Sequence, residues 1–163
     1  MREMNEDLRR SIWESLLRSD LERQYWHQKA CQYVDRDRYT KYILATLSCG
    51  SVAGWVEGSF PAFWKGLSVS SAALAAVLPF MTLNERIASM VELHSKWLEL
   101  MHEYDEIWRD QVSVTDSKAR SRLNDAKKVE LELSTKAINL PCNDKKLAYS
   151  IFESVVAARS NPK

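Results

Sequence analysis

Two apolar segments without a charged residue, at positions 42–56 and 66–84, constrain this chain more than any other feature. Nine residues, 57–65, join them, and all four glycines of the protein lie in this region. A helix that crosses a bilayer needs about 20 apolar residues, and no fewer than about 17. The second segment has 19 residues, whereas the first has 15 and would need a thinned bilayer or a snorkelling lysine. The pattern predicts a transmembrane helical hairpin; the alternative is a buried hairpin inside a soluble helical bundle.

Basic residues predict how this hairpin is oriented. They flank it on both sides: Arg36, Arg38 and Lys41 before it, Arg86 and Lys96 after it. The connection holds only Lys65, which Glu57 offsets. Because positively charged loops stay in the cytoplasm, both termini are expected there, with the hairpin as an internal membrane anchor.

The rest of the chain is expected to be helical. It has four prolines and four glycines among 163 residues, and no stretch alternates as a strand would. The predicted fold is all-α: a transmembrane hairpin continuous with a cytosolic antiparallel helical stalk, followed by a C-terminal helical tail. The domains are residues 1–41 as a cytosolic amphipathic helix, 42–84 as the hairpin, 85–111 as the stalk and 112–163 as a tail for sensing or oligomerisation.

Apolar residues recur at helical spacing in the three regions outside the hairpin. The N-terminal helix carries Leu8, Ile12, Leu16, Leu17, Leu21 and Tyr25. The stalk carries a heptad seam of Leu83, Ile87, Met90, His94, Trp97, Met101, Tyr104 and Trp108. The tail carries Ala119, Leu123, Ala126, Val129, Leu133 and Ala137, then Leu147, Ile151, Val155 and Ala158. These stripes predict which face of each helix is buried.

The hairpin offers two sets of candidate functional residues. Small residues at four-residue spacing allow close helix packing in lipid: Gly50, Gly54 and Gly58, facing Ala72 and Ala76. Hydroxyl side chains could line a pore if several copies assemble: Thr46, Ser48, Ser51 and Ser70. Simple packing of the hairpin on itself explains the small residues equally well.

The tail contains the one dense run of cations in the sequence. Five basic residues lie within eleven positions: Lys118, Arg120, Arg122, Lys127 and Lys128. Asp125 is the single acid among them. Such a run could bind the phosphates of a signalling ligand, although a solvated helix face gives the same pattern.

Signals of catalysis are missing from the sequence. It contains no phosphate-binding loop, no nucleophile elbow, no zinc-protease motif and no dinucleotide fingerprint. His94 and His102 have no spacing that predicts a metal site, and His94 fits a core histidine as well as a pH sensor. The net charge of +1 does not favour DNA. We therefore expect neither an enzyme nor a cofactor or metal.

This layout resembles a known family. A charged helix with Tyr25, Trp26 and Tyr39 leads into the hairpin, and a long helix with Trp97 and Trp108 follows it. Over about residues 10–112 the chain resembles the bacterial SLATT-type two-transmembrane effectors of nucleotide-sensing antiphage defence. It is also similar in layout to two-helix membrane effectors associated with CRISPR systems and retrons.

The resemblance implies an inner-membrane protein that oligomerises and forms a pore or disrupts the bilayer. The expected partners are the lipid bilayer, further copies of the chain, and a cytosolic signal such as a cyclic oligonucleotide or a signalling protein. The alternative is a non-catalytic, membrane-anchored adaptor that recruits a partner through its cytosolic helices.

Overall fold

The structure is all-α, as the sequence predicts. The computed structural model describes residues 6–57, 66, 69–70, 72–73, 76, 83–110, 115–141 and 144–160. Its helices are α1 (Glu6–Glu57), α2 (Leu83–Arg109), α3 (Asp116–Ala137) and α4 (Lys145–Ser160). No strand occurs in the described residues, and the separate positions between 66 and 76 are also helical.

The chain divides into two units. Met1–Ala30 and Ala88–Lys163 form the first, which we call the bundle, and Cys31–Ile87 form the second. The bundle therefore combines the first half of α1 with most of α2 and with α3 and α4. Its core comes from both ends of the chain, so neither end buries its apolar face without the other.

The bundle part of α1 buries the predicted stripe and more. Its buried apolar residues are Leu8, Ile12, Leu16, Tyr25, Trp26 and Ala30. Leu17 and Leu21 are only half-buried, whereas Ser15, Ser19 and Asp20 are buried beside the stripe. Neither proline nor glycine occurs between Glu6 and position 50, which is consistent with one unbroken helix.

The buried stripe of α2 is displaced from the predicted seam. Its buried residues are Met90, Leu93, Trp97, Leu100, Tyr104 and Ile107. Met90, Trp97 and Tyr104 belong to both sets, but the other predicted seam residues are half-buried. Two interleaved stripes share those three residues in the sequence, and the packing of the neighbouring helices selects between them.

The helix α3 differs from the prediction at one buried position, and its N-cap makes no side-chain hydrogen bond. Glu130 is buried, whereas Val129, which the apolar pattern placed in the core, is 43% exposed. Thr115 is the N-cap, and its carbonyl oxygen accepts the amide hydrogens of Lys118 and Ala119 at 3.0 and 3.1 Å. Glu130 takes the inward position because it finds polar partners there, as described below.

The helix α4 is joined to α1 at its first turn. Asp144 precedes it, and its Oδ1 accepts the amide hydrogen of Leu147 at 3.2 Å. The Lys29 ammonium donates to the Asp144 Oδ2 at 2.9 Å. Ile151 and Val155 are fully buried, and Ala158 is exposed. One carboxylate therefore both caps α4 and pairs with a buried lysine of α1.

The second unit contains the first predicted membrane segment as helix. The helix α1 continues through it to Glu57. Residues 58–65 and most of the second apolar segment lie outside the described residues. Among the helices that the structure describes, none is both long enough and apolar enough to cross a membrane.

Candidate functional site

The predicted hairpin residues are only partly described. Thr46 is exposed, and its hydroxyl donates to the carbonyl oxygens of Tyr42 and Ile43 at 3.1 and 2.8 Å. Ser70 likewise donates to the Gly66 carbonyl oxygen at 2.9 Å. Ala72 and Ala76 are exposed, Gly50, Gly54, Ser48 and Ser51 lie in α1 without described side chains, and Gly58 is outside the described residues. The packing face and the pore lining stay predictions.

The five predicted signal-binding cations of α3 do not share one environment. Lys118 and Arg120 are exposed. Lys127 donates to the Ser11 Oγ of α1 at 2.9 Å, and Lys128 pairs with Asp125 at 2.8 Å. Hydrogen bonding to Asp125 raises the pKa of Lys128. Arg122 differs from all four, because it lies against α2.

Arg122 is bound by three carboxylates. Its guanidinium contacts Glu103 at 2.7 Å, Glu106 at 3.1 Å and Asp110 at 3.0 Å. The hydrogen bonds to Glu103 are the main cause of its raised pKa. A guanidinium with this many acceptors has few donors left for a ligand. Arg122 therefore joins α3 to α2 and is a poor candidate for signal binding.

This network gives the first testable prediction. Arg122→Met should lower the free energy of unfolding by about 1 kcal/mol, because three carboxylates then repel each other without a cation. The loss should shrink in high salt, which screens these partly exposed charges. Urea unfolding at low and high salt measures both effects. The matched control Lys128→Met removes one exposed ion pair and should change stability little; equal losses in the two variants would contradict the assignment.

A buried polar cluster connects α1, α2 and α3. The Tyr104 hydroxyl donates to the Glu130 Oε2 at 2.9 Å, and Arg18 Nη1 lies 3.1 Å from the Glu130 Oε1. The Ser15 hydroxyl also hydrogen bonds to Tyr104. Burial, followed by the bond to Glu130, raises the pKa of Tyr104 well above its usual range. One oxygen of the Glu130 carboxylate thus accepts a hydrogen bond and the other forms an ion pair.

Two adjoining cavities lie beside this cluster and form what we call the groove. The first, of about 430 Å³, is lined by residues of α1, α2, α3, α4 and the turn after α3. The second, of about 540 Å³, lies between α1 and α3. Arg18 and Ser134 line both cavities. These volumes lie within the range of about 300–1,000 Å³ typical of small-molecule sites.

Glu22 is a titratable group of the first cavity whose pKa is shifted by burial. Desolvation raises its pKa, although a hydrogen bond from the Trp26 Nε1, 3.2 Å from the Glu22 Oε2, opposes the shift. Arg18 on the same helix also opposes it, and Glu130 from α3 adds to it. The cavity therefore favours the neutral carboxyl group more than water does.

Two histidines, His27 of α1 and His94 of α2, form a separate pair. The rings of His27 and His94 are 5.1 Å apart between centroids. His94 Nδ1 donates to the Arg23 carbonyl oxygen at 3.0 Å, so this nitrogen carries a hydrogen. The bond explains His94 as a packed histidine with one satisfied nitrogen. Across the described parts of the chain, no group of three or more His, Cys, Asp or Glu residues could hold a metal ion.

Sequence reasoning missed the groove because its residues have no local signature. Arg18, Glu22 and Ser134 come from two helices more than one hundred positions apart in the chain. Glu130 is buried and Val129 is exposed, the reverse of what apolar spacing predicts, because the partners of the Glu130 carboxylate lie on other helices. The groove has the volume and the mixed apolar and polar lining of a site that binds and orients a small molecule, and its second cavity holds the Lys127–Ser11 hydrogen bond.

No protein-family model, curated protein or solved structure matches this chain.

Proposed function

We propose that the protein is a bacterial inner-membrane effector whose segments 42–56 and 66–84 insert as a hairpin with both termini in the cytoplasm. Several copies assemble, and their hairpins form a pore or disrupt the bilayer during antiphage defence. The bundle holds the two ends of each copy together and responds to a cytosolic signal such as a cyclic oligonucleotide.

One observation carries this proposal. Along the single helix α1, apolar side chains are buried or half-buried up to Ala30, whereas those described beyond it, up to position 46, are half-buried or exposed. Tyr39, Tyr42 and Ile43 are each more than half exposed, and so is Val69 of the second segment. Exposed apolar clusters of this kind mark surfaces that need another apolar environment. A bilayer or a second copy of the hairpin supplies one.

The continuity of α1 supports a signalling role for the bundle. Residues 6–30 of α1 belong to the bundle, and residues 31–57 of the same helix belong to the second unit. Because both parts belong to one helix, we propose that a ligand that changes the packing around α1 in the bundle acts on the first apolar segment.

The alternative function, a membrane-anchored adaptor, has an observation of its own. Apolar side chains are exposed on α3, the turn after it and α4: Leu131, Ile138, Tyr149, Phe152 and Val156. A partner protein could cover them. The adaptor and the effector differ in one measurable property, since an adaptor leaves the membrane sealed.

The effector proposal is tested by expression in a bacterial host. Induced wild-type chain should resist carbonate extraction, admit a membrane-impermeant DNA dye and depolarise the inner membrane. Ala72→Arg should abolish all three effects, because an arginine at the centre of a membrane helix costs about 2.5–3.5 kcal/mol on insertion scales. Dye fluorescence, a potential-sensitive dye and immunoblots of the membrane fraction give the readouts.

The matched control is Val91→Arg, at a half-exposed position of α2 within the bundle. It adds the same charge and should leave insertion and dye entry unchanged. Release of the wild-type chain by carbonate would contradict the membrane proposal. Stable insertion with a sealed membrane would favour the adaptor.

A further inference from the structure

The wall of the first cavity in the groove is rich in aromatic side chains. Tyr25, Trp26, Trp97 and Phe152 line it, together with aliphatic residues of α1, α3 and α4. Trp26 and Trp97 are each 1% exposed, so rotamer changes do not close this space at low cost. A planar ring can stack against such a wall, and each aromatic pair contributes beyond the area that it buries.

The polar groups of this cavity include hydrogen-bond donors as well as the Glu22 carboxyl group. The Ser134 hydroxyl lies at the junction of the two cavities, next to Arg18. Arg18 uses one nitrogen for Glu130 and has further N–H groups. A ligand that satisfies these donors must carry acceptors.

The charges along the groove also favour an acceptor-rich ligand. Arg18 and Glu130 offset each other, and Arg10 pairs with Glu14 at 2.9 Å. Lys127 lines the second cavity, and among the described residues no carboxylate lies within ion-pair distance of its ammonium. When Glu22 takes up a proton, the Lys127 ammonium is left as one positive charge without a carboxylate partner among the described residues. This net positive charge of the groove is complementary to one anionic group of a ligand.

We propose that the groove binds a small aromatic anion. Its planar ring lies in the first cavity against the aromatic side chains. Its sulfonate, carboxylate or phosphate group lies at the junction with Arg18 and Ser134, on the side that leads to Lys127. Binding of such an anion in the groove does not depend on insertion of the chain in a membrane.

This site has a defined pH dependence. An anion is repelled by ionised Glu22 and not by the neutral form, so binding favours the protonated carboxyl group. Affinity should therefore rise as the pH falls and Glu22 takes up its proton. The charged groups that face Glu22 are Arg18 from α1 and Glu130 from α3. The residues of α2 and α4 that line the cavity, such as Trp97, Ile151 and Phe152, carry no charge.

The test uses calorimetry on the purified full-length chain with three naphthalene probes. We expect 2-naphthalenesulfonate and 2-naphthyl phosphate to bind one per chain, and 2-naphthylmethylammonium to bind about tenfold more weakly or worse, a difference of about 1.4 kcal/mol. The sulfonate keeps its charge, so its affinity should rise as the pH is lowered and Glu22 takes up its proton. Glu22→Gln should abolish most of that rise and bind the sulfonate at pH 7.5 at least as tightly as wild type.

Two alanine variants on α4 locate the site. Ala148→Phe fills the first cavity and should reduce sulfonate affinity about tenfold or more. Ala158→Phe adds the same ring at an exposed position that lines neither cavity and should bind like wild type. Both alanines are exposed, so both variants should fold, which far-ultraviolet circular dichroism checks. Absence of sulfonate binding, preference for the ammonium probe, equal binding by Ala148→Phe, or weaker binding by Glu22→Gln would each overturn the proposal.

Discussion

Replacing Trp97 by alanine should lower the free energy of unfolding of the bundle by about 3–5 kcal/mol. Trp97 is 1% exposed, lies in the middle of the buried stripe of α2, and also forms part of the groove wall. The lost contacts leave a cavity next to one that already exists, so collapse around the site would have to move more than one helix. Urea unfolding followed by far-ultraviolet circular dichroism measures the change.

The control for this variant is Val91→Ala on the same helix. Val91 is 48% exposed, and its truncation should change stability by about 0.5 kcal/mol or less. A loss for Trp97→Ala no larger than that of Val91→Ala would mean that α2 does not pack in the bundle as described. A large loss at Trp97 alone supports a core built from both ends of the chain.

The helices could be predicted from the sequence because their signals are local. Apolar spacing indicates the buried stripe of α1 at Leu8, Ile12 and Leu16, and the few glycines and prolines favour long helices. The spacing of apolar residues does not show which of two overlapping stripes on a helix is buried. On α2 the sequence predicts His94 and Met101 in the seam, but the structure buries Leu93 and Leu100. Only the shape of the neighbouring helices makes that choice.

The candidate site could not be predicted because it depends on partners that are distant in the chain. A count of charges places Arg122 with its basic neighbours, yet Glu103 and Asp110 of the preceding helix region bind it. Hydropathy places Glu130 outside and Val129 inside, whereas Tyr104 and Arg18 supply the contacts that reverse them. From the neighbouring residues alone one can predict that burying a carboxylate is unfavourable. One cannot predict which distant side chains compensate for that unfavourable burial.

The same limit applies to the predicted hairpin. Lack of charge in residues 42–56 predicts one helix of a transmembrane hairpin. The structure has α1 there, with exposed Tyr42 and Ile43, but none of the described helices is both long enough and apolar enough to cross a membrane. Carbonate extraction and dye entry test whether this segment inserts, whereas urea unfolding tests the packing of the bundle.

The buried carboxylate of Glu130 should show strong coupling to Tyr104. Tyr104→Phe should lower the free energy of unfolding by about 1–3 kcal/mol, because it leaves a buried carboxylate oxygen without its donor. Glu130→Leu should cost less, since the Tyr104 hydroxyl keeps its bond to Ser15, and Arg18 is exposed enough to be hydrated.

The double variant decides whether these two residues act as a pair. Once the carboxylate is absent, no buried acceptor depends on the Tyr104 hydroxyl. The double variant Tyr104→Phe with Glu130→Leu should therefore be about as stable as Glu130→Leu alone. The coupling free energy from the four urea unfolding curves should then approach the full cost of Tyr104→Phe. Additive losses would show that the contact of 2.9 Å contributes little and that α2 and α3 are joined by apolar packing instead.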